Sequence, residues 1–90
     1  MIYITAIHPA VKYHESIQSV RWLEPTKGQS GESTVAEIVA FLADNTNVAQ
    51  VAGPNGPSRV GVEAGANGRK WIRTHADGQW NNNLLALPSY

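Results

Sequence analysis

The sequence predicts an α+β domain: a mainly antiparallel sheet of five or six strands with one helix packed on one face, in the order ββαβββ. Three observations predict it. Short β-branched or alternating runs occur at both ends of the chain, and a single helical stripe lies between them. The dipeptides Asn67-Gly68 and Asp77-Gly78 punctuate the last third as hairpin turns. A helix laid across one face of a sheet is the simplest way to bury these stripes together.

Residues 2–7 are rich in β-branched side chains and read as a strand that Pro9 ends. A second strand is expected over residues 15–23, with Gln18, Val20 and Trp22 on one face and Ile17, Ser19, Arg21 and Leu23 on the other. Pro25 stops it, and residues 26–33 read as a polar loop. Thr34 and Glu37 form a capping box, and Val35, Ile38, Val39 and Leu42 follow at helical spacing. That helix is expected to end near Asp44-Asn45. Residues 48–52 are a third strand, 53–57 a loop and 59–64 a fourth strand. Residues 69–75 are the fifth, with a short segment over 79–81 after the second Gly turn. The apolar tail, residues 84–88, is expected to pack back onto the body.

Ninety residues make one domain, spanning residues 1–90, with a single thin core. The chain is 42% apolar, 16% charged and formally uncharged overall, which is globular composition with a light charge coat. Such a chain has no field strong enough to gather nucleic acid or anionic membrane, and little to keep copies apart. A homo-oligomer or a protein partner is therefore expected, nucleic acid is the less favoured partner, and no membrane partner is expected. With no cysteine there is neither a disulfide nor a thiolate nucleophile, and a cytoplasmic location is the expectation. The first residues lack the basic lead of a secretory signal, and no apolar run approaches a membrane span.

If Asn67-Gly68 is a two-residue loop, Ala64 faces Trp71, Val62 faces Arg73 and Val60 faces His75, while Asp77-Gly78 sets His75 opposite Trp80. One face then carries Val60, Val62, Ala64, Arg69, Trp71, Arg73, His75 and Trp80, and the other Gly61, Glu63, Gly65, Lys70, Ile72 and Thr74. The candidate ligand or partner face is accordingly Arg69, Trp71, Arg73, His75 and Trp80, a cationic, aromatic-lined surface suited to a phosphate, a carboxylate or a stacked base. The plainer reading is that Arg73 lies over Trp71 or pairs with a carboxylate such as Asp77. The alanine-rich exterior of the helix, with Phe41, Ala40 and Ile38, is the candidate self-association surface.

The loop 27–34 enters a helix N-terminus but lacks the Gly-Lys-Ser/Thr ending of a phosphate loop, and Glu32 and Glu37 already supply negative charge there. His8, His14 and His75 have no ligand spacing with a carboxylate, so no metal and no cofactor is expected. Ser, His and Asp occur without a nucleophile elbow, and no catalytic residue is assigned.

Trp71-Ile72-Arg73-Thr74, then Asp77-Gly78, then residues 83–88 (Asn-Leu-Leu-Ala-Leu-Pro) resemble the bacterial domain-of-unknown-function family DUF3892, as do Ile4-Thr5, Val20-Arg21-Trp22 and Thr34-x-x-Glu37. The resemblance covers nearly the whole chain, and the tail is its most specific part. The family favours Tyr where Trp71 stands and Asp where Asn82 stands. The resemblance implies a small bacterial or phage-borne protein and brings no activity, cofactor or site. Three functions compete: a non-enzymatic interaction module that self-associates or docks on a protein, a nucleic-acid or anion-binding module using the Arg/Trp/His face, and, more remotely, a small enzyme suggested by His75 and Asp77.

Overall fold

A computed structural model describes residues 1–53 and 56–90. Among them, seven strands build one sheet: β1 (Ile2–His8), β2 (Ser19–Glu24), β3 (Gln29–Thr34), β4 (Ala49–Gly53), β5 (Gly56–Ala64), β6 (Lys70–Ala76) and β7 (Gln79–Asn81). The helix α1 (Val35–Leu42) joins β3 to β4. The sheet order is β3-β2-β1-β4-β5-β6-β7. The fold class is α+β with one helix, as expected, but the sheet has seven strands rather than five or six and is mixed: β4 lies parallel to β1, with Ile2 opposite Ala49 and Tyr3 opposite Gln50.

The extra strand is β3, which falls mostly within the polar loop expected over residues 26–33. Gln29–Thr34 has no apolar alternation of its own. It is a strand because β2 pairs with it over its full length, from Ser19 opposite Thr34 to Glu24 opposite Gln29. An edge strand needs no apolar outer face, and polar residues there discourage edge-to-edge aggregation. The second strand begins at Ser19, not near residue 15, because His14–Ser16 forms a 3-10 turn. Ile17 is buried from just outside the strand.

Helix α1 starts as the capping box demands. The Glu37 amide donates to Thr34 Oγ1 at 3.1 Å and the Thr34 amide donates to Glu37 Oε1 at 2.8 Å. These bonds hold the Glu37 carboxyl below its ordinary pKa. The helix ends a little early, at Leu42, where the Asn47 side-chain amide donates to the Phe41 carbonyl at 3.0 Å. Ile38 is only 3% exposed and belongs to the core, and Phe41 packs against that core with Val35, Val39 and Leu42. The self-association surface of Phe41, Ala40 and Ile38 is therefore corrected: of the three, Ala40 alone is exposed. The helical stripe is wider than its i, i+3, i+4 positions, and Phe41 extends it inwards.

On the helix side of the sheet, Ile2, Ile4, Ala49, Val51, Val60 and Ile72 form the core together with Ile38, Val20 and Leu84. The tail does pack back. Leu84 is fully buried, and Ser89 makes a parallel bridge to Ile7, beside β1 and beyond the point where β4 stops pairing with it. The Ile7 amide donates to the Pro88 carbonyl at 2.9 Å and the Tyr90 amide to the Ile7 carbonyl at 3.0 Å. Of the expected loop 53–57, Gly53 closes β4 and Gly56 and Pro57 open β5, while Pro54 and Asn55 lie outside the described residues.

His14 is 8% exposed, and its Nε2 has no hydrogen-bond partner among the described residues. Burial, and then the Arg73 charge, hold its pKa below the ordinary value. The unfolded chain therefore binds the proton more readily than the folded one, so this contribution to stability is present above the unfolded value of about 6.5 and is lost as pH falls below it. Urea midpoints recorded from about pH 7.5 down to about pH 5 fall more steeply for the natural chain than for His14→Gln. Equal slopes would mean that the imidazole is protonated as easily in the folded state.

Candidate functional site

The helix-free side of the sheet carries the residues of interest, in a register one step from that expected. Asn67-Gly68 does not make a two-residue loop. The Gly68 amide donates to the Gly65 carbonyl at 3.2 Å, the Gly65 amide donates to the Arg69 carbonyl at 2.8 Å, and Gly68 adopts φ +74°. This is a type I turn followed by a left-handed residue, the usual three-residue hairpin loop. The extra residue moves every pairing by one: Glu63 faces Trp71, Gly61 faces Arg73 and Arg59 faces His75. Because strand side chains alternate, a one-residue slip transfers a whole strand to the other face. Val60 and Val62 thus share the helix side with Ile72 and Thr74, and Gly61 and Glu63 join the aromatic face. Asp77-Gly78 behaves as expected, with φ +54° and +78° and His75 opposite Trp80.

The face brings together Trp71, Arg73, His75 and Trp80. Arg69 is not part of it; its guanidinium donates to the Glu15 carbonyl oxygen. The slip supplies what Arg73 required. Glu63 Oε2 lies 3.6 Å from Arg73 Nη1, and Glu63 Oε1 accepts from the Trp71 indole N–H at 2.7 Å. The carboxylate partner is therefore Glu63, which the expected register had placed on the opposite face, and Asp77 is used by its turn. The Arg73 guanidinium also lies 5.8 Å from the Trp80 ring centroid, and the His75 and Trp80 rings meet edge to face at 5.5 Å.

Glycines make room for these rings. A Cβ on Gly65 would lie 2.9 Å from the Trp71 ring, and one on Gly61 would lie 3.1 Å from His75 and 3.4 Å from Trp80. At the far edge of the sheet Trp22 lies against Gly31 in the same way and donates to Ser33 Oγ at 3.0 Å. Each of the three tryptophans thus lies over a glycine, two of them (Gly31 and Gly61) within strands and Gly65 just past the end of β5, where a ring replaces the packing that a missing side chain cannot provide. Trp71 and Trp22 use their N–H groups internally. Trp80 is 44% exposed, and its indole N–H has no acceptor among the described residues.

Next to His75 is an open cleft of about 290 Å³, lined on the sheet by Arg59, Val60, Gly61, Val62 and His75 and at the helix exit by Leu42, Asn45 and Asn47. Trp80 lies on the other side of His75 and lines a separate hollow with Gly78 and Gln79. The sequence reading missed Arg59, Gly61 and Glu63. The signal for all three was Gly65-Ala66-Asn67-Gly68, which fits a three-residue loop as well as a two-residue one. Elsewhere, the His8 ring packs against Tyr90, with centroids 5.2 Å apart, and Glu37 fills the N-terminus of α1. Among the described residues no three His, Cys, Asp or Glu side chains converge as metal ligands.

These features define a small α+β domain on a seven-stranded mixed sheet, one side under a helix and the other carrying an aromatic and guanidinium cluster. The chain belongs to the family described as "Protein of unknown function (DUF3892)", whose model matches residues 3–88 of its 90. Comparison with curated proteins and with solved structures gave no match. No helix among the described residues is long and apolar enough to cross a membrane.

Proposed function

We propose that this domain is a non-enzymatic protein-interaction module that docks through the Trp80 face and also associates with itself there. The observation that carries the reading is the exposed indole of Trp80. It is held from below by the Gly61 backbone and from the sides by His75 and Arg73, while its N–H is left unused among the described residues. Exposed aromatic rings fixed in this way contribute most of the energy at protein interfaces, because little side-chain freedom is lost when they are covered. Zero net charge leaves no repulsion between copies.

The nucleic-acid reading has weaker support, because Arg73 is neutralised by Glu63 and Arg69 is turned towards Glu15. Duplex or strand binding rests on several phosphate contacts, and this face offers one unpaired guanidinium, Arg59.

Sedimentation velocity from micromolar to millimolar protein tests the proposal. The sedimentation coefficient is expected to rise with concentration in the natural chain, and Trp80→Ala is expected to abolish the rise while leaving the circular dichroism spectrum intact. A rise that survives the substitution would place the contact elsewhere. A strict monomer at millimolar concentration would remove self-association.

A further inference from the structure

The four arginines of the chain are not equivalent. Arg73 is paired with Glu63, Arg69 donates to the Glu15 carbonyl, and the Arg21 guanidinium lies 4.1 Å from the Tyr90 ring centroid, with Glu32 opposite it across β2 and β3. Arg59 is different. Among the described residues no carboxylate lies within ion-pair distance of it. It is exposed, and it lines the cleft next to His75.

The surroundings of Arg59 have the makings of a recognition site. His75 pairs directly with it across β5 and β6, so both side chains leave the same face at adjacent positions. Gly61, two residues on, has no side chain, and the His75 and Trp80 rings lie over it, which brings Trp80 next to the Arg59 side of the sheet. Leu42, Asn45 and Asn47 line the cleft from the helix exit, and the Asn47 side-chain amide donates to the Phe41 carbonyl. Glu63, on the same face, is committed to Arg73 and Trp71 and so does not neutralise Arg59. The result is an unpaired cation in a cleft of mixed polar and aliphatic lining, with the exposed Trp80 indole next to it across the His75 ring.

We infer that this cleft receives a carboxylate side chain from an acidic, partly apolar peptide segment of a protein partner, with Arg59 pairing the carboxylate and Trp80 covering the neighbouring apolar residue. Charge complementarity selects the occupant: the cleft presents one guanidinium and neutral donors, which match a single carboxylate, whereas a polyphosphate backbone calls for a row of cations. An apolar neighbour is required because Trp80, Leu42 and Val62 offer apolar contact and no further charge. The inference rests on the docking role proposed for the Trp80 face and adds to it the chemistry of the partner.

The test is a nuclear magnetic resonance titration at low salt, following the Trp80 indole, the His75 ring and the Arg59 side chain. The probes are an acetylated, amidated peptide of alternating Glu and Phe, its Gln and Phe counterpart, and inorganic phosphate. Saturable shifts are expected with the Glu peptide, and binding about tenfold weaker with the Gln peptide, as expected for one charge-assisted contact. Arg59→Gln is expected to remove the difference between the peptides, and Trp80→Ala to weaken both alike. Equal binding of the two peptides, unchanged by Arg59→Gln, would overturn the carboxylate site and leave the docking face standing. Binding of neither peptide would overturn both. Saturation by phosphate with no response to the Glu peptide would overturn the peptide assignment.

Discussion

Leu84→Ala lowers the stability of the domain by about 2–5 kcal/mol, the range for emptying a well-packed core site, and lowers the thermal midpoint by on the order of 10–40 °C. Leu84 is fully buried although it lies outside the strands and the helix. Its amide donates to Thr74 Oγ1 at 3.3 Å, and that hydroxyl donates to Asn81 Oδ1 at 2.5 Å. Asn81 and Asn83 in turn donate from their side-chain amides to Ser58 Oγ at 3.0 and 2.8 Å. Buried Ser58 and Thr74 are thus satisfied by the segment that carries Leu84, and polar groups left unmatched there would cost free energy in addition to the cavity. Urea denaturation followed by circular dichroism reads the change. A loss under about 1 kcal/mol would show that the tail rests on the surface and is not part of the core.

Glu63→Ala is the second large effect, a loss of about 1–3 kcal/mol, because it strands two groups at once. The Trp71 indole N–H loses its acceptor and Arg73 loses its counter-charge. Arg73 and Glu63 are each 28% exposed, so solvent offsets part of the cost and the upper end of that range is not reached. Glu63→Gln is milder, since an amide oxygen still accepts from the indole. In a double-mutant cycle with Arg73→Leu, the combined loss is smaller than the sum of the single losses by roughly 0.5 kcal/mol or more. Strict additivity would mean that the 3.6 Å ion pair contributes nothing. The Trp71 indole proton resonance gives a second readout, shifting in Glu63→Ala more than in Glu63→Gln.

Short-range chemistry is legible in the sequence. Thr34 and Glu37 announced the helix start, Asp77-Gly78 announced a two-residue turn, and the tail leucines announced their burial. What failed was long-range or ambiguous. The strand Gln29–Thr34 is held by β2 and has no signature of its own, so no periodicity could reveal it. The parallel pairing of β1 with β4 is set by where the α1 crossover returns the chain, which residues 48–52 do not encode. The register of β5 against β6 hung on one turn, and a choice between two and three loop residues decided which side Glu63 occupied. The aromatic face survived that error because Trp71, Arg73, His75 and Trp80 are related through β6 and the second turn, which were placed correctly. Their electrostatic character did not survive it: the cluster expected to be cationic is balanced by Glu63, and the free cation is Arg59.

The seam between Ile7 and Ser89 sets the order in which the molecule can be assembled. The first strand lies in the interior of the sheet, and one flank of it is completed by residues that follow 82 positions later. Contacts joined across so much chain close the longest loop and cannot form until both ends are present. During synthesis, β1 and its hairpin must therefore wait with the Ile7 end of that flank open until residues 88–90 have been made, and the seam closes after the rest of the sheet.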